Sequence, residues 1–299
     1  VYKKIYYLYT VLMQPSTILA DWKLRPCVIA TMHKKEIVIA PALANGLGIT
    51  TIVPENFNTD TFGTFTRDIA RTGNQRDTAC AKAQAAMDIT GLDLAIVSEG
   101  SFGVHPSMPF LESNLELVML IDKKHKLEIL GKYRTSAVHV RSQSVSTADE
   151  AVSVAQAWGF PEQGVILRTS ETSTRHMNKE IRTLDELHAA SHKLLSRWFT
   201  TQVFLETDMR AHRCLARMDS ITAAMDDLIQ NCLRLCPQCA TPGFAVTDVT
   251  YGLPCSACGQ STELAMETVS SCQKCPHQKR MSAIDAPTAD PGQCGDCNP

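Results

Sequence analysis

The chain has no surplus of basic charge. Its 299 residues carry 29 Lys and Arg against 31 Asp and Glu, a formal net charge of −2. A protein that coats nucleic acid non-specifically needs the opposite balance, so that role is disfavoured. Also missing is any run of 18 or more apolar residues, so no transmembrane helix and no membrane association are expected. The sequence contains no G-x-S-x-G, no Walker loop and no G-x-G-x-x-G. Serine hydrolysis, P-loop nucleotide hydrolysis and Rossmann dehydrogenation are thereby disfavoured. No internal repeat or low-complexity linker is visible. A hydrophobic content of 44% with 20% charged residues excludes wholesale disorder, collagen-like repeats and coiled coil.

Of six tyrosines, Tyr2, Tyr6, Tyr7 and Tyr9 crowd into the N-terminal segment VYKKIYYLYTVLM. Two lysines before an apolar run resemble a weak signal peptide. Thr10 and Gln14 interrupt the run, and no small-residue cleavage site follows cleanly. A start at Met13 explains the segment better than targeting does. The protein is then expected to be cytoplasmic, where paired cysteines mean metal rather than disulfides.

From Arg25 the pattern alternates between strand and helix. CVIAT (27–31) and ITTIVPE (49–55) read as strands around a helix at 34–48, interrupted at Pro41 and ended by Gly46 and Gly48. NFNTDTFGTFT (56–66) reads as a loop of the kind that carries function. A helix follows over 75–91, then a buried strand over 92–100. LELVMLID and LEILGKYR flank the charged tip DKKHK as a hairpin. SAVHVRSQ reads as a strand, TADEAVSVAQAWG as a helix capped by Thr147, and GVILRTS as a strand. TLDELHAASHKLLSRWF, VFLETD and a helix over about 213–234 complete the series. Such alternation predicts an α/β fold, with a mostly parallel mixed sheet and flanking helices. The expected organisation is an N-terminal extension (1–24), an α/β domain (25–235) and a small zinc-ribbon-like module (236–299).

Cysteine is what the chain has in excess: 12 residues, eight of them in the last 64. They form four C-x-x-C pairs, Cys236/Cys239, Cys255/Cys258, Cys272/Cys275 and Cys294/Cys297. A C-x-x-C turn points two thiolates at one tetrahedral ion, and two turns complete a four-cysteine site. Two structural zinc sites are expected, with a rubredoxin-like iron site as the alternative. Sequential and interleaved pairing of the turns both remain open. So apolar-poor a segment needs the metal for its folding free energy. Cys27, Cys80, Cys214 and Cys232 lack partners at ligand spacing and read as core residues. The module holds Asp248, Glu263, Glu267, Asp285, Asp290 and Asp296 against Lys274, Lys279 and Arg280. With zinc thiolates adding further negative charge, this field repels phosphate backbones. It suits a protein partner or a lid better.

Three clusters carry candidate chemistry in the α/β part. In ATMHKKE (30–36), Thr31, His33, Lys34 and Lys35 offer donors at a strand-to-helix turn, and Glu36 could reach a metal. In NTDTFGTFTRDIAR (58–71), Asp60 precedes Arg67 and Arg71, which share a face if helical. In IVSEGSFGVHP (96–106), a buried strand delivers Glu99 to its carboxyl end beside Ser101 and His105. Ligands of open α/β sheets bind at such ends, and Glu99 suits a metal ligand or general base. A fourth cluster holds Glu206, Asp208, Arg210 and His212. It either joins the same pocket or forms an ion-pair network.

Across ATMHKKE, TDTFGTFT, SEGSFGVHP, ETDMRAH and the closing CPQC…CSACG…CQKC…CGDCNP, the chain resembles an uncharacterised bacterial family, known only as a domain of unknown function. The N-terminal half is also similar in order to the inosine/xanthosine triphosphate pyrophosphatase superfamily. There Thr31, Lys35 and Glu36 would match the first turn, Lys82-Ala83 a helix and Glu99 an acidic strand end. His33 stands in place of that superfamily's Asn, the turn is shorter, and a single Glu replaces an acidic pair. The likeness implies Mg²⁺-assisted attack of water on a nucleoside triphosphate. In that reading Glu99, Glu36 and Asp60 hold Mg²⁺, while Lys34, Lys35, Arg67 and Lys82 bind a phosphorylated small molecule. The alternative is a non-catalytic zinc protein whose α/β part binds a small ligand and whose ribbon contacts a protein.

Overall fold

The computed structural model describes residues 16–299, except 56, 64–72, 107, 138–139 and 174–175 and the side chains of 60 and 109. The chain forms two compact units, Lys23–Ile229 and Gln230–Pro299, the latter joined by the described residues before Lys23. Those earlier residues include a short helix, α1 (Thr17–Trp22).

The larger unit opens with β1 (Cys27–Ala30), α2 (Glu36–Leu47), β2 (Thr51–Ile52) and α3 (Gln75–Thr90). A long hairpin follows, made of β3 (Leu94–His105) and β4 (Met108–Asp122), and β5 (Leu127–Thr135) continues it. These strands form one sheet in the order β2-β1-β3-β4-β5. Strand β1 runs parallel to both β2 and β3, while β3, β4 and β5 are antiparallel. All four β1 residues are buried. Val28 and Ala30 face Ala83, Ala86 and Met87 of α3 in one core. Cys27 and Ile29 alternate to the other face and are equally buried, so the sheet is covered on both sides.

The second sheet is built from β6 (Ser142–Val145), α4 (Ala148–Ala157), β7 (Val165–Arg168), β8 (Met177–Asn178), α5 (Leu184–Leu195) and β9 (Val203–Thr207). Its order is β6-β9-β7-β8, and every pairing is antiparallel. Ala151 and Ala155 of α4 and Leu187 of α5 pack on Val145, Val165, Leu167 and Leu205. Helix α6 (Leu215–Leu233) crosses β5 at Gly131, where an added Cβ would lie 2.3 Å from the Ala224 carbonyl oxygen. Glycine is what allows that approach.

The α/β class is as expected, but the prevalence of parallel pairing is not. Tight turns after β3 and β4 can only join antiparallel neighbours. The β6-α4-β7 unit does keep its strand-helix-strand order, but β9 inserts between the two strands and runs opposite to both. Helix α2 also continues through Pro41 rather than breaking there. The carbonyl that Pro41 leaves without a donor belongs to Ile37, on the exposed side of the helix. The helix ends at Gly48 (φ 68°), where Ile49 N–H donates to the Leu43 carbonyl in a Schellman closure. The expected strand at SAVHVRSQ begins only at Ser142.

The smaller unit contains a three-stranded antiparallel meander, β10 (Ala245–Tyr251), β11 (Ala265–Ser271) and β12 (Gln278–Ser282). Among the described residues, no helix is long and apolar enough to cross a membrane.

Candidate functional site

β1 and β3 lie side by side and parallel, and β1 ends level with Val97, so the chain leaving β1 opens beside Ser98 and Glu99 while β3 runs on to His105. Directly after β1 the chain makes a tight turn in which His33 (φ 67°) and Lys34 (φ 57°) both take the left-handed conformation. Two consecutive non-glycine residues there are a local strain that surrounding contacts must hold. The turn sends Lys35 inward. Its side chain is buried, and Nζ donates to the Ser98 carbonyl at 3.2 Å. Burial first, and then the Arg217 guanidinium, push the Lys35 ammonium down to about 8.

One residue beyond Ser98, Glu99 is also buried and pairs with Lys82, which reaches across from α3. Gln75, at the start of α3, clamps the same region. Its amide donates to the carbonyls of Glu99 (2.6 Å) and Leu115 (3.1 Å), and its oxygen accepts from Ser101 Oγ (3.2 Å). On β4, fully buried Glu116 takes Arg217 Nε at 2.7 Å and Asn114 Nδ2 at 3.2 Å. Arg217, from the first turn of α6, also donates to the Met209 carbonyl and lies 5.7 Å from the centre of the Phe102 ring. Between these strands Gly100 leaves the space that the guanidinium fills. A Cβ there would meet Arg217 Nη2 at 2.3 Å.

The fourth cluster joins this region and is also an ion-pair network. His212 stacks on His33, with ring centroids 5.1 Å apart and planes at 13°. Buried Asp208 accepts from Arg210 Nη2 at 2.8 Å, and Arg210 Nη1 reaches Glu180 at 3.0 Å. Burial, with His33 and Arg210 adding to it, holds His212 down to about 4. Its Nδ1 is buried with no hydrogen-bond partner among the described residues. Glu206 instead bonds Arg168 Nε at 2.8 Å within the second sheet.

Thr31, His33, Lys34 and Glu36 line an open cavity of about 490 Å³ together with Phe57 and Asn58. The sequence candidates therefore divide. Thr31, His33, Lys34 and Glu36 share that cavity, whereas Lys35, Lys82, Glu99 and Ser101 belong to the strand-end cluster. His105 is not gathered with them. β3 continues straight through Gly100 and Gly103, which puts it six residues past Glu99, about 20 Å along the strand. The Asp60 side chain, Arg67 and Arg71 lie outside the described residues. Glu116, Arg217 and Gln75 went unnoticed in the sequence. Glu116 sits in an alternating strand, where a carboxylate normally faces water, and Arg217 in a helix turn with no motif around it.

The eight C-terminal cysteines form two groups, Cys236/Cys239/Cys272/Cys275 and Cys255/Cys258/Cys294/Cys297. Within each group the sulfurs lie within 4.8 Å of one another. Contacts of 3.7 Å (Cys236–Cys275), 3.5 Å (Cys239–Cys272), 3.8 Å (Cys255–Cys297) and 3.7 Å (Cys258–Cys294) span each group. A tetrahedron with metal–sulfur bonds of about 2.3 Å has edges of about 3.8 Å, so each group could hold one metal ion in the geometry of a structural zinc site. Among the described residues, no other three His, Cys, Asp or Glu side chains converge in this way.

The pairing is interleaved, and the meander explains it. The first turn precedes β10 and the third follows β11. The start of β10 pairs with the end of β11, Ala245 opposite Ser271, so these two turns share one end of the sheet. The second turn follows β10. The fourth comes after β12, whose last residue Ser282 lies opposite Glu267 near the start of β11. A β-bridge from Cys255 to Ala289 returns the tail to that second end.

Residues 82–299 match a family described as a domain of unknown function (DUF6671), and the chain belongs to that family. The matched span holds Lys82, Glu99, Glu116, His212, Arg217 and all eight module cysteines, and begins after the turn at 31–36. No curated protein and no solved structure matches the chain. The likeness to the inosine/xanthosine triphosphate pyrophosphatase superfamily finds no support in these comparisons.

Proposed function

We propose that this is a protein with two structural zinc sites whose α/β part binds a phosphorylated small molecule where β1 ends beside the middle of β3. The α/β part would span 25–235 and the zinc module 236–299. The observation that carries the binding reading is three buried cations gathered near two carboxylates: Lys82 pairs with Glu99 and Arg217 with Glu116, while Lys35 meets no carboxylate among the described residues. Buried cations that outnumber their partners favour an anionic ligand. Four-thiolate geometry supports zinc in the module. Zinc-bound thiols in turn suit a reducing, cytoplasmic setting, and the acidic module suits a protein partner more than nucleic acid.

Hydrolysis of the bound ester is the second reading. It is favoured by Glu99, a buried carboxylate on β3 beside the end of β1, with Glu36 and Asp60 as further Mg²⁺ ligands and Arg67 as a further phosphate contact. The deciding experiment measures phosphate and pyrophosphate release from a panel of phosphate esters, including nucleoside triphosphates, with Mg²⁺ and zinc-loaded protein. Binding is followed in parallel. Release that disappears in Glu99→Gln selects the hydrolase. Binding without release selects the non-catalytic reading. Neither binding nor release removes both.

A further inference from the structure

Lys35 differs from its two cationic neighbours. Lys82 is paired with Glu99, and Arg217 with Glu116. Lys35 is just as buried, yet among the described residues its ammonium meets no carboxylate. Among the described residues its Nζ donates to a single acceptor, the Ser98 carbonyl. An ammonium carries three donors, so two are taken by no described residue. The charges facing it are those of Lys82 on α3, Glu99 on β3, Glu116 on β4 and Arg217 on α6. On its own turn stand His33, Lys34 and Glu36. Through His212, which stacks on His33, the segment 208–213 adds Asp208, outnumbered by Arg210 and Arg213.

Resting on the anion-binding reading above, we infer that Lys35 is the group on which the oxyanion of the ligand docks, and that docking takes up a proton there. The reason is electrostatic. Without an anion, the buried cation is unfavourable and the amine shares its time between charged and neutral forms near pH 8. An oxyanion against Nζ stabilises the charged form. By linkage, anything that favours the proton favours the anion equally. Affinity is therefore full below about pH 7 and falls towards tenfold per pH unit above about pH 8.

The probe is inorganic sulfate, whose own charge is constant across this range, so any proton exchanged comes from the protein. Calorimetric titration of the zinc-loaded full chain at pH 8, in two buffers of different ionisation enthalpy, should show uptake of about half a proton per sulfate bound. Lys35→Arg keeps the charge, and should bind sulfate with no uptake and a flat affinity between pH 7 and 9. Lys35→Met should lose at least tenfold in affinity. A second measurement needs no variant: acetic anhydride labelling of Lys35, read by mass spectrometry against pH, should titrate near 8 and shift upward in sulfate. Sulfate binding without proton uptake, uptake that persists in Lys35→Arg, or a midpoint like that of surface lysines overturns the inference and leaves the anion site standing. No sulfate binding and no protection of Lys35 overturns both.

Discussion

Lys82 and Glu99 are each almost wholly withdrawn from water and pair with one another there. Removing one partner of such a pair leaves an uncompensated buried charge, which costs about 3–5 kcal/mol. Lys82→Met should lower stability by that order in urea unfolding. Adding Glu99→Leu should restore most of the loss, because two apolar groups of similar size remove both charges. If Lys82→Met alone is neutral, the pair is not the buried contact described here. His212 gives a pH signature. Its folded-state value is depressed to about 4 against an ordinary value near 6.5, so the unfolded chain binds more protons between these limits. Its contribution to stability is therefore complete above about pH 6.5 and lost as pH falls towards 4. His212→Gln should flatten the wild-type slope in that window. The comparison between the two proteins is the readout, since acid also releases thiolate-bound metal. Glu99 stands out in the sequence because an apolar run leads into it, although β3 does not close there and continues to His105. Glu116 does not, since one charged residue in an alternating strand looks solvent-facing until a partner such as Arg217 arrives from 101 residues away.

Helix ends were the most readable elements, because their signals are local. Thr147 and Thr183 cap α4 and α5 through their side chains, and Glu186 completes a capping box at α5. Thr183→Ala should cost about 1 kcal/mol in thermal or urea unfolding, and an unchanged midpoint would show that the cap contributes nothing. Strand partners were less readable. The hairpin of β4 and β5 follows from a charged tip between two apolar runs. The insertion of β9 between β6 and β7 depends on contacts across sixty residues that no local pattern records. Gly131 belongs to the same class. Nothing in LEILGKYR shows that α6 backbone will press against this glycine, yet a Cβ there would lie 2.3 Å from the Ala224 carbonyl oxygen and 2.4 Å from Leu228 N. Backbone cannot rotate away as a side chain can. Gly131→Ala should therefore destabilise the protein clearly more than Gly91→Ala, where the added methyl meets no atom within 4 Å and only the positive φ is strained.

At the scale of the whole molecule, the ligand set of the cysteine module was fixed by spacing, but the way the ligands combine was not. Each C-x-x-C turn is a local object, closed by its own hydrogen bonds, such as Cys236 N–H to the Thr241 carbonyl and Cys255 N–H to the Gln260 carbonyl. Which two turns meet depends on strand direction, and an antiparallel meander places the first with the third and the second with the fourth. That arrangement has a stoichiometric consequence. Removing two thiolates from one site abolishes one metal, whereas removing one thiolate from each site endangers both. Cys239→Ser with Cys272→Ser should therefore retain one metal per chain, and Cys239→Ser with Cys258→Ser should lose two. Sequential pairing requires the reverse result, so metal analysis of the purified double variants separates the two. Complete removal of metal by a chelator should abolish amide protection over residues 236–299, because the segment has little apolar core of its own. Protection in β1 and β3 should persist, since Val28 and Val97 sit in a core built from β1, α3, β3 and β4 residues. Joint loss of protection in both regions would mean that the metal sites stabilise the whole chain and not the module alone.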